Sequence, residues 1–365
     1  MERRYFKNLD PVLVGCTLAV VAYSLLMIYS ASKGHAGVVR AGRQGVWAII
    51  GVICMVAVAS IDYNAYPRIA NRIYAGTIIL LTAVLFLGRN AKGAQRWIGF
   101  GAINVQPSEL AKIGLIIALA AFLLARRSEI REFGVVAKSF AYIALPMVLV
   151  LAQPDLGTAL VLVAIWFVML FLAGARPLHL AAFALAGVLM FAVMWHTGFV
   201  KDYQKHRLAT FIDPTADPKD SGYHIRQSKI AIGSGRFLGR GYLKGSQSQL
   251  SFIPEQHTDF IFTVVGEEMG FVGGVVLLLL YFALLHRAAA IMVTSEDPVG
   301  RLIAGGIVSM FLFQIFVNLG MTMGIMPVTG IPLPMFSYGG SSLLVTLSSV
   351  GILCGIYTRR HKINF

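Results

Sequence analysis

Apolar blocks long enough to cross a lipid bilayer recur ten times along this 365-residue chain, near 11–32, 44–61, 73–88, 108–125, 139–152, 156–175, 178–195, 269–286, 302–324 and 335–358. A helix needs roughly 20 residues to span the hydrocarbon core. Only 13% of the residues are charged and 57% are hydrophobic. Soluble domains carry about 25% charged residues, so this chain has too little charge to cover a water-facing surface. Soluble helices also rarely repeat such blocks without a polar face. The sequence therefore predicts an all-α integral membrane protein, a single polytopic domain over 1–365 with about ten transmembrane helices.

The net charge of +14 would suggest nucleic acid on a soluble chain. Here many basic residues stand at the ends of apolar blocks, which is a membrane-topology pattern and argues against a nucleic-acid partner. The fifth block is short and contains Pro146, and charge decides whether it spans. If it does, one side carries 15 Lys/Arg (Arg3, Arg4, Lys7, Arg68, Arg72, Arg126, Arg127, Arg131, Lys138, Arg176, Arg287, Arg301, Arg359, Arg360 and Lys362). The short loops opposite carry 6: Lys33, Arg40, Arg43, Arg89, Lys92 and Arg96. The bias predicts ten spans with both termini cytoplasmic and membrane lipid around the bundle. No cleavable signal is evident, since the first block is too long and lacks a small-residue cleavage site. Cys16, Cys54 and Cys354 lie inside apolar blocks and read as small hydrophobes.

The loop at 196–260, between spans seven and eight, then lies outside the cytoplasm. A loop of 65 residues in a compact membrane protein is usually functional. Ionisable groups at membrane depth are costly and are functional candidates. Glu109 and Lys112 are three apart, on one helix face and within pairing distance. They fit either a packing salt bridge or the wall of a substrate cavity. Asp155, after Pro154, fits a helix cap or the same cavity. Arg96 and Trp97 fit an interfacial anchor or a binding edge. The stretch from Gly233 to Gly241 lacks a preceding strand, which excludes a dinucleotide fold. With Arg236, Arg240 and Lys244 it fits either a solvated loop or a phosphate site. Asp259 stands where the polar loop meets apolar sequence. Burial would raise its pKa and nearby cations would lower it, and its two readings are a general base and a helix cap.

Together the motifs closely resemble the SEDS family of peptidoglycan glycosyltransferases over nearly the whole chain. The matching stretches are Gly93-Ala94-Gln95-Arg96-Trp97-Ile98, Gln106-Pro107-Ser108-Glu109-Leu110-Ala111-Lys112, Gln153-Pro154-Asp155-Leu156-Gly157-Thr158, Gly222-Tyr223-His224-Ile225-Arg226-Gln227-Ser228, His257-Thr258-Asp259-Phe260-Ile261-Phe262 and Pro334-Met335-Phe336-Ser337-Tyr338-Gly339-Gly340-Ser341-Ser342. Gln247-Ser248-Gln249-Leu250 and Gln153-Pro154-Asp155-Leu156 look more like its elongation branch than its division branch. Gln256 departs from the Arg or Ala often found there. The resemblance implies polymerisation of lipid II at the outer face of the cytoplasmic membrane. It maps the essential aspartate onto Asp259 and the conserved polar cavity onto Glu109, Lys112 and Asp155. It also implies a class B penicillin-binding protein as partner and a divalent cation, Mg or Mn, with no organic cofactor. Arg96, Arg207, Lys229, Arg236, Arg240, Lys244 and His257 complete the expected substrate-binding set.

Two other classes compete. A lipid flippase would use the same charged cavity as a headgroup path, with essential groups linking both faces. A scaffold that only activates its partner would not need Asp259. The gathering of motifs towards the outer side favours the enzyme.

Overall fold

The computed structural model describes residues 9–32, 34–91, 94–100, 103–198, 202–212, 221–250, 252–253 and 256–359. Arg3, Arg4, Lys7, Lys33, Lys92, Gly93, Arg360 and Lys362, all read above, lie outside the described residues.

Among the described residues, ten helices are long and apolar enough to cross a membrane. They are α1 (Pro11–Ala31), α2 (Gly34–Ser60), α3 (Tyr66–Leu87), α4 (Pro107–Ala125), α5 (Phe133–Ala152), α6 (Leu156–Ala173), α7 (Pro177–His196), α12 (Gly270–Thr294), α13 (Pro298–Met323) and α14 (Gly340–Thr358). Between α7 and α12 lie α8 (Asp202–Ile212), α9 (Ser221–Gly235), a four-residue turn of helix α10 (Ser246–Gln249) and α11 (Ile261–Glu268). Residues 324–339 form an irregular strap between α13 and α14. The protein is a multi-pass membrane protein, as its composition demands. One β element joins the helices, an antiparallel sheet of β1 (Arg89–Ala91), β2 (Ala94–Phe100) and β3 (Ile103–Val105) ahead of α4.

Local chemistry sets the helix ends. Asp10 caps α1 through the Val12 and Leu13 N–H groups, with Pro11 at the first position. Its carboxylate also accepts from Arg287 Nε at 2.8 Å, which ties α1 to α12. Proline likewise opens α4, α7 and α13, where its missing N–H costs nothing. Pro146 sits within α5, which runs unbroken through it as a full span.

Packing between spans uses small residues, because lipid tails give helices no apolar incentive to associate. Along α2 and α14, a Cβ on Gly351 would land on the Met55 carbonyl, and one on Gly51 would land on Leu347. Gly114 of α4 admits Thr77 of α3, and Gly306 of α13 admits Ile116 and Met169. α4, α13 and α14 are buried over most of their length, whereas α7 has no buried residue and rides on the edge of the bundle. The long loop, the sheet and the strap all gather at one end of the bundle. The turn from α4 to α5 and the Asp10–Arg287 pair occupy the other.

Candidate active site

The starts of α4 and α6 meet at the loop end and build a buried polar cluster. Asp155 is the N-cap of α6, and its carboxylate accepts from Thr158 N at 3.2 Å and Thr158 Oγ1 at 2.9 Å. It also accepts from Ser108 Oγ at 3.2 Å and Gln106 Nε2 at 3.3 Å. The two similar phrases, Gln106-Pro107-Ser108 and Gln153-Pro154-Asp155, thus bind each other. Arg96 of β2 closes the cluster, donating through Nε to the Gln153 carbonyl at 3.0 Å and through its terminal nitrogen to the Pro154 carbonyl. Its guanidinium stands 3.9 Å from Asp155 Oδ1. Within the first two turns of α4, Lys112 Nζ donates to Glu109 Oε1 at 2.7 Å, with both side chains buried. Glu109 Oε2 is buried without a hydrogen-bond partner. Asp155 caps α6, and the same carboxylate accepts from Gln106 and Ser108 at the start of α4 with the Arg96 guanidinium of the sheet beside it.

The second cluster lies across the strap. Gly157 of α6 packs on Thr329 and Ile331, where a Cβ would come within 2.7 Å of the Ile331 side chain. Gly330 between them has φ +72°, and a Cβ there would stand 3.4 Å from Asp259 Oδ2. The strap thus carries the first cluster on one flank and the Asp259 carboxylate on the other. Phe260, not Asp259, is the N-cap of α11, so Asp259 stands one residue outside the helix and is only half-buried. The cap position itself makes no side-chain hydrogen bond to the helix start. His257 lies beside Tyr338, with ring centroids 5.5 Å apart.

α9 runs alongside α11 in parallel. His224 is 6.2 Å from Phe260 between ring centroids, Ser228 Oγ is 2.7 Å from Thr263 Oγ1, and Gly235 meets the Gly266 carbonyl. This register sorts the basic residues. The His224–Arg226 motif stands at the Asp259 end of α11, with Lys229 one turn along, its amine beside Gly324. Arg236, Arg240 and Lys244, all exposed, stand at the far end. The 8 residues of α11 separate the two groups by about 12 Å at helical rise. Arg207 is half-exposed on α8.

The glycine-rich stretch has a different job from the one its composition suggests. Arg240 N and Gly241 N donate to the Glu267 and Glu268 carbonyls, at 3.0 Å each, which satisfies the end of α11. Phe271 N and Val272 N donate back to the Arg236 and Phe237 carbonyls at 2.9 and 3.1 Å, which satisfies the start of α12. Four orphan groups at a helix break are thereby paired. A Cβ at Gly235 or Gly239 would land on the carbonyl of Gly266 or Glu268, so the glycines serve close packing. The N–H groups of 239, 240, 241 and 244 are committed to carbonyls, which leaves the side chains alone to meet a phosphate. Below the stretch, Glu267 accepts from Gln247 N at 2.7 Å and Ser248 N at 2.8 Å, and Glu268 accepts from Ser30 Oγ at 2.6 Å. Burial pushes the Glu268 carboxyl above its ordinary value, while the bonds from Ser30 and Leu243 pull it back.

Gly239→Ala therefore meets both a φ of +81° and a backbone wall. Left-handed geometry alone costs a non-glycine residue roughly 1–2 kcal/mol. Thermal unfolding in detergent should show Gly239→Ala losing at least that much. Gly233→Ala, where a Cβ meets nothing within 4 Å, should be neutral or slightly stabilising. Equal behaviour of the two would remove the packing account.

The site therefore belongs to a helical membrane protein with a buried acid–base cluster at one end of the bundle and a half-exposed aspartate across a strap from it. Residues 10–362 match the cell cycle protein family of FtsW, RodA and SpoVE, and the chain belongs to that family. It is 41% identical to the peptidoglycan glycosyltransferase MrdB of Escherichia coli K12 over 363 residues, 98% of this chain and 95% of the relative. Its fold matches a chain from a solved peptidoglycan synthase complex that coordinates polymerisation and crosslinking. The TM-score is 0.82 at 35% identity, covering 97% of this chain and 99% of that one. The rod shape determining protein RodA of Thermus thermophilus matches with a TM-score of 0.73 at 32% identity, over 97% and 98% of the two chains.

Proposed function

We infer that this chain is a peptidoglycan glycosyltransferase of cell elongation that polymerises lipid II. The observation that carries the reading is Asp259, a half-buried carboxylate outside any helix, where the polar loop meets the strap. Asp259 accepts the proton of the acceptor sugar hydroxyl as the hydroxyl oxygen bonds to the donor's anomeric carbon. The anomeric carbon–oxygen bond to pyrophosphate breaks in the same displacement, and its electron pair leaves with the lipid pyrophosphate. One carboxylate at this position supplies a base and no separate nucleophile, which supports an inverting displacement.

The leaving pyrophosphate needs positive charge. Lys229 and Arg207 are the candidates for the Asp259 side of α11, and Arg236, Arg240 and Lys244 for lipid phosphate at the α12 side. Glu109, Lys112, Asp155, Arg96 and His257 form the remaining substrate-binding set. Among the described residues no three His, Cys, Asp or Glu side chains converge. A divalent cation, Mg or Mn, is proposed to accompany the substrate's pyrophosphate. A class B penicillin-binding protein is the proposed partner, and the likeness to a chain of a synthase complex supports it.

Purified lipid II, given to the purified chain with that partner, should be converted to glycan strands. Transport of labelled lipid II across vesicles without polymer would favour a flippase instead. The proposed topology places the loop end outside the inner membrane and both termini inside. With the three native cysteines replaced, an impermeant maleimide on whole cells should label Lys244→Cys and spare Ser128→Cys, both exposed sites. Labelling of both would reject this arrangement.

A further inference from the structure

The motif around Ser337 and Tyr338 has no part in the chemistry above, and neither does Asn318, a buried amide near the end of the apolar span α13. The three meet at one place. The His257, Thr258 and Asp259 carbonyls are consecutive, and each is held from outside its own segment. Tyr338 N donates to the His257 carbonyl at 3.0 Å. Ser337 Oγ donates to the Thr258 carbonyl at 2.7 Å. Asn318 Nδ2 donates to the Asp259 carbonyl at 2.9 Å and, with its second N–H, to the Ile331 carbonyl at 2.7 Å.

We propose that Asn318 and Ser337 are positioning residues that hold the Asp259 carboxylate at its working place by clamping the backbone on which it stands. The proposal rests on reading Asp259 as the base. Its first support is the orientation of Asn318. The side chain is fully buried and its Oδ1 has no hydrogen-bond partner. Turning the amide over would set that oxygen against two carbonyls, so both N–H groups are committed and the acceptor is left over. A side chain present only to satisfy itself would not be arranged this way. The second support is what the amide joins. Its two carbonyls belong to Asp259 and to Ile331, next to Gly330, whose absent Cβ leaves the space 3.4 Å from Asp259 Oδ2. One amide thus sets the spacing between the carboxylate and the strap. The third is the completeness of the clamp. With three successive carbonyls held, the backbone on both sides of the Asp259 Cα is fixed. Ser337 is itself held, since its oxygen accepts from Leu333 N at 2.8 Å.

The sequence explains why these types are needed. Asparagine is short, neutral and donates twice. Leucine has its shape without donors, and aspartate has its shape with acceptors only. A general base must stay within hydrogen-bond reach of its proton, and misplacement by about 1 Å can cost about 100-fold in rate.

The test compares Asn318→Leu, Ser337→Ala, Ser337→Thr and Asp259→Asn in purified protein with its partner, using lipid II polymerisation. Rates are expressed per folded molecule, with kcat and KM separated and the pH–rate profile recorded. Asn318→Leu should lower kcat about 100-fold and Ser337→Ala about 10-fold, with KM little changed. The acidic limb should move, because the carboxylate no longer sits in its native surroundings. Ser337→Thr, which keeps the hydroxyl, should recover most of the rate and the native limb. A merely structural role would lower the yield of folded protein and leave kcat and the limb of the surviving molecules unmoved, which overturns the proposal. Should Asn318→Leu fail to fold, the alanine–threonine pair at Ser337 decides alone. If Asp259→Asn polymerises normally, the base reading has failed. If it is inactive while the Ser337 and Asn318 variants match wild type, the clamp alone has failed.

Discussion

Asp259→Asn should fold, enter the membrane and bind its partner, yet polymerise lipid II about 10²–10⁴-fold more slowly than wild type. The amide keeps the shape of the carboxylate and removes the proton acceptor. Its backbone carbonyl still accepts from Asn318, so the clamp is retained. The change also leaves α11 capped as before, because the N-cap is Phe260. Loss of activity in a correctly inserted protein therefore cannot be charged to a broken helix start. Membrane level and partner capture measured with the polymerisation assay separate the two. Near-normal glycan synthesis would reduce Asp259 to a group that shapes the pocket.

Lys112→Met should destabilise the protein by about 3–5 kcal/mol, because it strands Glu109 as an uncompensated buried charge. Glu109 has one oxygen on Lys112 and the other on nothing, so it has no reserve partner. Replacing both residues, as Glu109→Gln with Lys112→Met, should recover most of that loss, since a buried pair replaced whole is often neutral. Thermal unfolding in detergent reads the cycle. If the pair also touches substrate, the double variant will be stable and still slow. Full stability and full activity in Lys112→Met would mean that the pair carries neither role.

The ten spans were legible because bilayer crossing is a matter of length and apolarity, which composition displays directly. Their edges were less so. α2 begins at Gly34, ten residues before the apolar block, with Arg40 and Arg43 inside the helix and not in a loop. The sheet from Arg89 to Val105 gave no periodic signal, since two of its strands have only three residues. Of the candidate site, the residues that had to be ionisable were found from their cost in apolar surroundings. Asn318 escaped although an amide within an apolar span carries the same signal in weaker form. The packing role of Gly235 and Gly239 was not legible, because a close approach to backbone and a close approach to phosphate call for the same missing side chain.

The chain also carries a timetable. The Asp259 segment is held by Ser337 and Tyr338, and the strap that bears them is anchored by α14, whose long partner is α2. Synthesis runs from the amino end, so α2 and the loop are made and inserted while their last contacts do not yet exist. Until α14 arrives, the glycine-lined face of α2 has no helix against it and the carbonyls before Asp259 have no donors. A chain that stops before Ser337 therefore lacks the two donors that hold the His257 and Thr258 carbonyls.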